Sequence, residues 1–153
     1  MLIQSVFKEQ QPIPIVYTCK GKNIAPPLQF YDIPPHTQSL VLIMDDPDAP
    51  KGTFDHWIVW NIPPQLTNLS EGAMELQKIS PAPKFGANSY GKLNYQGPCP
   101  PPGKVHHYHF KLYALDSLLD LQEGAKKSDV EQMMRSHIIE QAELIGIFSS
   151  EMV

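Results

Sequence analysis

His106-His107-Tyr108-His109-Phe110-Lys111-Leu112-Tyr113-Ala114-Leu115 is the stretch on which the fold turns. Successive side chains of a strand point to opposite faces. With that period His106, Tyr108, Phe110, Leu112 and Ala114 share one face, while His107, His109, Lys111 and Tyr113 share the other. The first set becomes apolar after its opening residues, so it is expected to face a core, with an imidazole and a phenol at the strand's beginning. Two further stretches read as strands. Ser39 to Asp45 (SLVLIMD) and His56 to Ile62 (HWIVWNI) carry apolar side chains on both parities, as expected of strands covered on both faces. All three are expected to be central in the sheet.

Proline marks what lies between. There are 16 in 153 residues, about twice the usual share. They fall in groups: Pro26-Pro27, Pro34-Pro35, Pro63-Pro64, Pro81 with Pro83, and Pro98 with Pro100 to Pro102. Each group separates two candidate strands, so the prolines define loops of a β core. A helix is expected in the tail. Ser128-Asp129-Val130-Glu131 has capping-box spacing, and Val130, Met133, Met134, His137, Ile138, Ala142 and Ile145 then recur at helical intervals. A shorter helical turn is expected around Glu71 to Gln77. The class is therefore mainly β, a sandwich with a few peripheral helices. The absence of repeats or linkers points to one domain over residues 1–153.

Composition narrows the function. A net charge of −4 with no dense basic cluster argues against a nucleic-acid surface. No apolar run approaches the roughly 20 residues that span a bilayer, and the N-terminus lacks the pattern of a secretory signal. A soluble, cytoplasmic protein is expected. Cys19 and Cys99 stand in no C-x-x-C spacing, so two reduced thiols are expected and no metal or other cofactor.

Three features carry chemistry. Asp46-Pro47-Asp48-Ala49-Pro50 directly follows the first strand, and its two prolines stiffen the loop that holds the carboxylates. Read alone it is also an ordinary Asp-rich turn. His56 begins an apolar strand, where a solitary histidine is more often a satisfied boundary residue than a ligand-binder. His106 and Tyr108 stand on a core-facing side and need partners. A carboxylate, an imidazole and a phenol at the mouth of an apolar sandwich make a compact anion site if they converge.

At this point the chain resembles a known family. The stretches Asp46 to Pro50, Asp55 to Pro63, Gly97 to Gly103 (GPCPPPG) and His106-His107-Tyr108 occur in the order and spacing of the phosphatidylethanolamine-binding protein family. Gly21 to Leu28 (GKNIAPPL) and Ala142 to Gly146 (AELIG) resemble flanking signatures, the second one of the bacterial Raf-kinase-inhibitor-like branch. The resemblance covers roughly residues 20 to 148, and several motifs in order make it specific. It implies a pocket for phosphate or a similar anion. Asp46 resembles the pocket aspartate, Asp48 the acidic residue bracing the loop, and Pro50 a residue preceded by a cis bond. His56 resembles the pocket histidine of the central strand, His106 and Tyr108 the pair of the G-x-H-R-Y motif, and Pro98 and Pro100 the proline wall. It also implies a homodimer and regulation of a protein partner such as a kinase.

One departure stands out: His107 replaces the arginine of that motif, and Lys104-Val105 the preceding glycine. Histidine is shorter and its charge depends on pH. By parity His107 faces away from the pocket, so the residue there is expected to support a neighbouring loop. The function expected is a small-anion-binding module without catalysis. Its rival is a metal-dependent or hydrolytic enzyme using the histidine-rich strand, with His107-x-His109 as ligands. No serine or cysteine lies in a G-x-S-x-G elbow, and Cys99, flanked by prolines, is a candidate reactive thiol.

Overall fold

The structure, a computed structural model, describes residues 1–152. The described residues form nine strands in two sheets. The strands are β1 (Leu2–Gln4), β2 (Gln11–Pro12), β3 (Leu28–Tyr31), β4 (Ser39–Asp46), β5 (Phe54–Ile62), β6 (Asn68–Leu69), β7 (Lys84–Phe85), β8 (His106–Leu115) and β9 (Ile138–Phe148). A small sheet runs β1-β3-β6 and a large one β2-β9-β8-β4-β5-β7. The strands read from the apolar stretches are thus β4, β5 and β8, and all three are interior. The large sheet is mixed: β2 pairs parallel to β9, while β8, β4 and β5 run antiparallel to their neighbours; the small sheet is antiparallel.

Both faces of the large sheet are covered, which is why β4 is buried at every position. One face holds Leu40, Leu42, Met44, Trp57, Val59, Tyr108, Phe110 and Leu112, packed with Ile3, Leu28, Phe30 and Leu69 of the small sheet. The opposite face holds Val41, Ile43, Ile58, Trp60 and Tyr113 beneath Leu119, Val130 and Met134. On β8 the burial pattern alternates through its first half, as the parity reading requires. Tyr113, on the face of His107 and His109, lies only 9% exposed, because the helix carrying Val130 and Met134 covers that face.

The tail departs from expectation. Helix α2 is confined to Lys127–Met134 and the chain then turns into β9. Residues 138–148 carry two periods at once, because Ala142, Leu144, Gly146 and Phe148 also alternate, and all but the half-buried Ala142 are buried. Pairing wins: β9 matches β8 from His106↔Phe148 to Leu115↔Ile138, which satisfies a long backbone edge that a helix would leave open. The start of α2 also differs, since its N-cap is Lys126 and not Ser128. The backbone N–H of Lys126 donates to Asp129 Oδ2 at 3.2 Å; a lysine side chain has no acceptor to return the bond. The short turn expected near 71–77 is α1, Glu75–Lys78.

The cysteines are joined. Cys19 and Cys99, separated by 80 positions, form a disulfide, which corrects the expectation of two thiols. Neither segment shows this locally, because the bond depends on two distant loops meeting. Around it, Cys19 N–H donates to the Pro98 carbonyl at 3.0 Å and Tyr95 Oη to the Tyr17 carbonyl at 2.6 Å. Gly97 N–H donates to Asn23 Oδ1 at 2.8 Å. The approach is so close that a Cβ on Gly97 would collide with the Tyr17 carbonyl oxygen. Gly97→Ala is therefore expected to cost about 2 kcal/mol, the scale of forced overpacking. Urea unfolding checks it, and a midpoint equal to that of the unsubstituted protein would refute the packing argument.

Candidate functional site

Topology brings the polar residues together. Strand β4 lies between β8 and β5 and is antiparallel to both, so its C-terminal end lies beside their N-terminal ends. Asp46 closes β4, His106 and Tyr108 open β8, and His56 is the third residue of β5. Asp45 and Asp46 point to opposite faces by alternation, which sends only Asp46 to the site.

His56 reaches the same face by an irregularity. Met44 pairs with Trp57 and Asp45 with Asp55, so His56 is an extra residue without a partner on β4. Such a bulge re-aims a side chain. Trp57 packs in the inter-sheet core and Ile58 on the other face. Strict alternation would place His56 with Ile58. The bulge instead sets its ring 5.4 Å from that of Tyr108, edge to face.

These groups surround a cavity of about 190 Å³, smaller than the ~300 Å³ at the lower end of drug-sized sites. Asp46, His56, His106 and Tyr108 are each at most 4% exposed, so their polar atoms must be accounted for. Asp46 is committed on both oxygens: Oδ1 accepts the Asp48 N–H at 2.8 Å, and Oδ2 accepts Nδ1–H of His106 at 2.6 Å. Nδ1 of His56 stands 2.6 Å from the Gln96 carbonyl, which only accepts, so this nitrogen carries the proton. Both imidazoles are thereby held by one nitrogen, and each leaves Nε2 over. Among the described residues neither Nε2 nor Tyr108 Oη has a hydrogen-bond partner.

The charges follow from the surroundings. Burial pushes His56 below the ordinary histidine value, outweighing the Gln96 carbonyl and the Asp46, Asp55 and Asp45 carboxylates that pull the other way. Burial, with Asp46 and Asp48 nearby, raises Tyr108 well above the usual phenol range. Its hydroxyl is therefore a donor at every working pH.

Asp48 lies outside the cavity lining and braces the loop. Its Oδ2 accepts from the backbone N–H of His107 at 2.8 Å and from the ring Nδ1–H at 2.7 Å. Burial raises the Asp48 carboxyl, but these bonds and the charge of His107 outweigh it and hold it below the usual carboxylate range. His107 thus supports the neighbouring loop, as parity anticipates for the position where the family pattern has arginine. His109 pairs separately with Glu143 at 2.9 Å, so the two outward histidines are tied to different carboxylates.

The wall differs in detail from expectation. Pro50 and Pro100 line the cavity, together with Cys99 and Pro101. Pro98 does not; it is buried behind the wall, where its carbonyl takes the Cys19 N–H. The cis bond among the described residues is Ser80–Pro81, so the bond before Pro50 is trans. Ala49, Phe54 and Tyr90 also line the cavity. Phe54 pairs with Asp46 and so shares its face, a placement that depends on the same bulge. Tyr90, in a segment without regular structure, gave no signal. A neighbouring hollow shares Pro50, Pro101 and His106 with the cavity and has Lys104 on its wall.

The family model described as phosphatidylethanolamine-binding protein matches residues 3–149. The chain belongs to the phosphatidylethanolamine-binding protein family. A UPF0098 protein of Pyrococcus horikoshii is 46% identical over 149 residues, covering 95% of this chain and 75% of that protein. A UPF0098 protein of Methanothermobacter thermautotrophicus is 46% identical over 142 residues, covering 93% of each. Among solved structures, a phosphatidylethanolamine-binding protein homologue of Chlamydia trachomatis superposes with a TM-score of 0.89 at 41% identity, covering 97% of both chains. Escherichia coli YbcL, described as a member of the mammalian family, gives 0.87 at 28% identity, again covering 97% of both. The family's β-rich fold is thus shared along the chain. No helix among the described residues is long and apolar enough to cross a membrane.

Proposed function

We propose that the cavity binds a small oxyanion, such as phosphate or a phosphorylated head group, and does so without turnover. One observation carries the reading: two imidazole Nε2 atoms and a phenol hydroxyl stand unpartnered at a single cavity, while every other polar atom of their set is engaged. Tyr108 donates throughout, and each Nε2 donates once its ring is protonated. The family's descriptive name, which attaches to a phospholipid, agrees with this chemistry.

The Asp46–His106 pair also has the geometry of a base and its orienter. A covalent mechanism would further need a nucleophile, and Cys99, the nucleophilic type of side chain at the wall, is spent in the disulfide. Support for a homodimer and for regulation of a partner such as a kinase comes from the family resemblance alone.

The pH dependence has a definite sign. An anion favours protonated imidazoles, so affinity rises as pH falls through and below the histidine range. The depressed value of His56 extends the rise below ~6.5, the ordinary histidine value. Sulfate is the suitable probe because its charge does not change there. Titration calorimetry is expected to show tighter sulfate binding at pH 5.5 than at pH 8. His56→Ala or His106→Ala should each lose about 1 to 3 kcal/mol of binding, the scale of charged hydrogen bonds. His109→Ala, on the far face, should lose little. Equal affinity at both pH values, or a larger loss in His109→Ala than in His106→Ala, would refute the reading.

A further inference from the structure

The wall of the cavity is built from a segment that can hardly hold itself in place by hydrogen bonds. Residues 98–103 read Pro-Cys-Pro-Pro-Pro-Gly, and proline has no N–H. Two N–H groups remain. That of Gly103 donates to Glu151 Oε1 at 2.9 Å, on an exposed residue, and that of Cys99 has no acceptor among the described residues. Upstream the chain is well anchored, through Tyr95, Gly97 and Pro98, to residues 17–23. From Cys99 onward the anchor is covalent, the bond to Cys19. Cys99 is itself exposed and Cys19 partly so, and Cys99 lines the cavity with Pro100 and Pro101. An accessible disulfide therefore joins a weakly tethered wall to the body of the protein.

We infer that Cys19–Cys99 is a redox-sensitive latch on this wall, opened by a dithiol, and that opening it loosens residues 99–105 and weakens anion binding. A thiolate of the dithiol attacks one sulfur and forms a mixed disulfide, and its second thiol then displaces the first. Cys19 and Cys99 end as thiols carrying the two protons of the reductant, which leaves as a cyclic disulfide. The wall then has to be ordered each time an anion is bound, at a cost to affinity. The affinity part of this inference rests on the anion site proposed above, whereas the loosening of the wall does not.

The experiment compares the full chain oxidised, reduced with dithiothreitol, and as Cys19→Ser/Cys99→Ser, by amide hydrogen exchange and by sulfate titration at pH 5.5. Exchange should quicken at Gly103, the bonded N–H of this stretch, in both disulfide-free forms, while β4, β5 and β8, less protected only by the lower stability of the whole fold, stay slow to exchange. The sulfate Kd should rise by roughly three- to tenfold. Unchanged exchange at Gly103 would overturn the latch, and so would exchange of β4, β5 and β8 at the rate of an unfolded chain, because the bond would then hold the whole fold. Sulfate affinity equal in oxidised and reduced protein would overturn its coupling to binding. Failure of the oxidised protein to bind sulfate would strike the anion site, and the exchange data would still decide the latch.

Discussion

Replacing Cys19 and Cys99 together by serine is expected to lower the free energy of unfolding by about 4 kcal/mol. The disulfide closes a loop of 80 positions, and chain-entropy scaling gives about 3 kcal/mol for a 15-residue loop and about 4.7 for 100 residues. Two strands of the large sheet's centre, β4 and β5, lie inside this loop, so the cross-link restricts an unfolded chain that would otherwise separate them freely. Part of the loss depends on structure retained by the unfolded chain. Urea unfolding of the variant beside the oxidised protein measures it. A difference below about 1 kcal/mol would show that the bond adds little beyond the packing of Tyr95 and Gly97 against residues 17–23.

Asp45→Ala is the second large effect, expected at about 3 kcal/mol. Asp45 shares a strand end with Asp46 but faces the α2 side, with its side chain 3% exposed. Its Oδ2 meets Lys127 Nζ at 3.0 Å and Lys111 Nζ at 3.1 Å, and Lys127 also reaches Asp55 Oδ1 at 2.8 Å. Removing one partner leaves half-buried ammonium groups uncompensated, which costs more than the pair contributes. Burial lowers the Lys127 value, but Asp55 and Asp45 outweigh it, and the net shift is upward. A group raised on folding stabilises fully below its unfolded value and loses that contribution as pH rises through its folded value. The network therefore holds at neutral pH and weakens only above ~10.5. Thermal unfolding at pH 7 checks the substitution, and a Tm within a degree of the unsubstituted protein would show these charges to be solvated.

Much of the candidate site's geometry could be read before any coordinates. Alternation along 106–115 put His106 and Tyr108 on the inner face and His107 and His109 on the outer one, and the structure keeps them there. The position of Asp46 after β4 followed from the apolar run before it. His56 was identified by resemblance, but its direction was not legible, because strict alternation sends it to the wrong face and only the bulge opposite Asp45 corrects this. Pro98 stands one residue outside the lining, which begins at Cys99.

What the sequence determined by itself is the mainly β character of the chain, its three central strands and the faces of β8. Each of these depends on a local period, and a period of two is carried by the residues themselves. The tertiary structure alone decided that residues 138–148 pair with β8 instead of continuing α2, that His56 bulges inward, and that Cys19 meets Cys99. In all three the local signal is ambiguous or missing. The outcome is set by backbone groups and side chains that come together only when distant segments close on one another, and satisfying those groups is worth more than local preference.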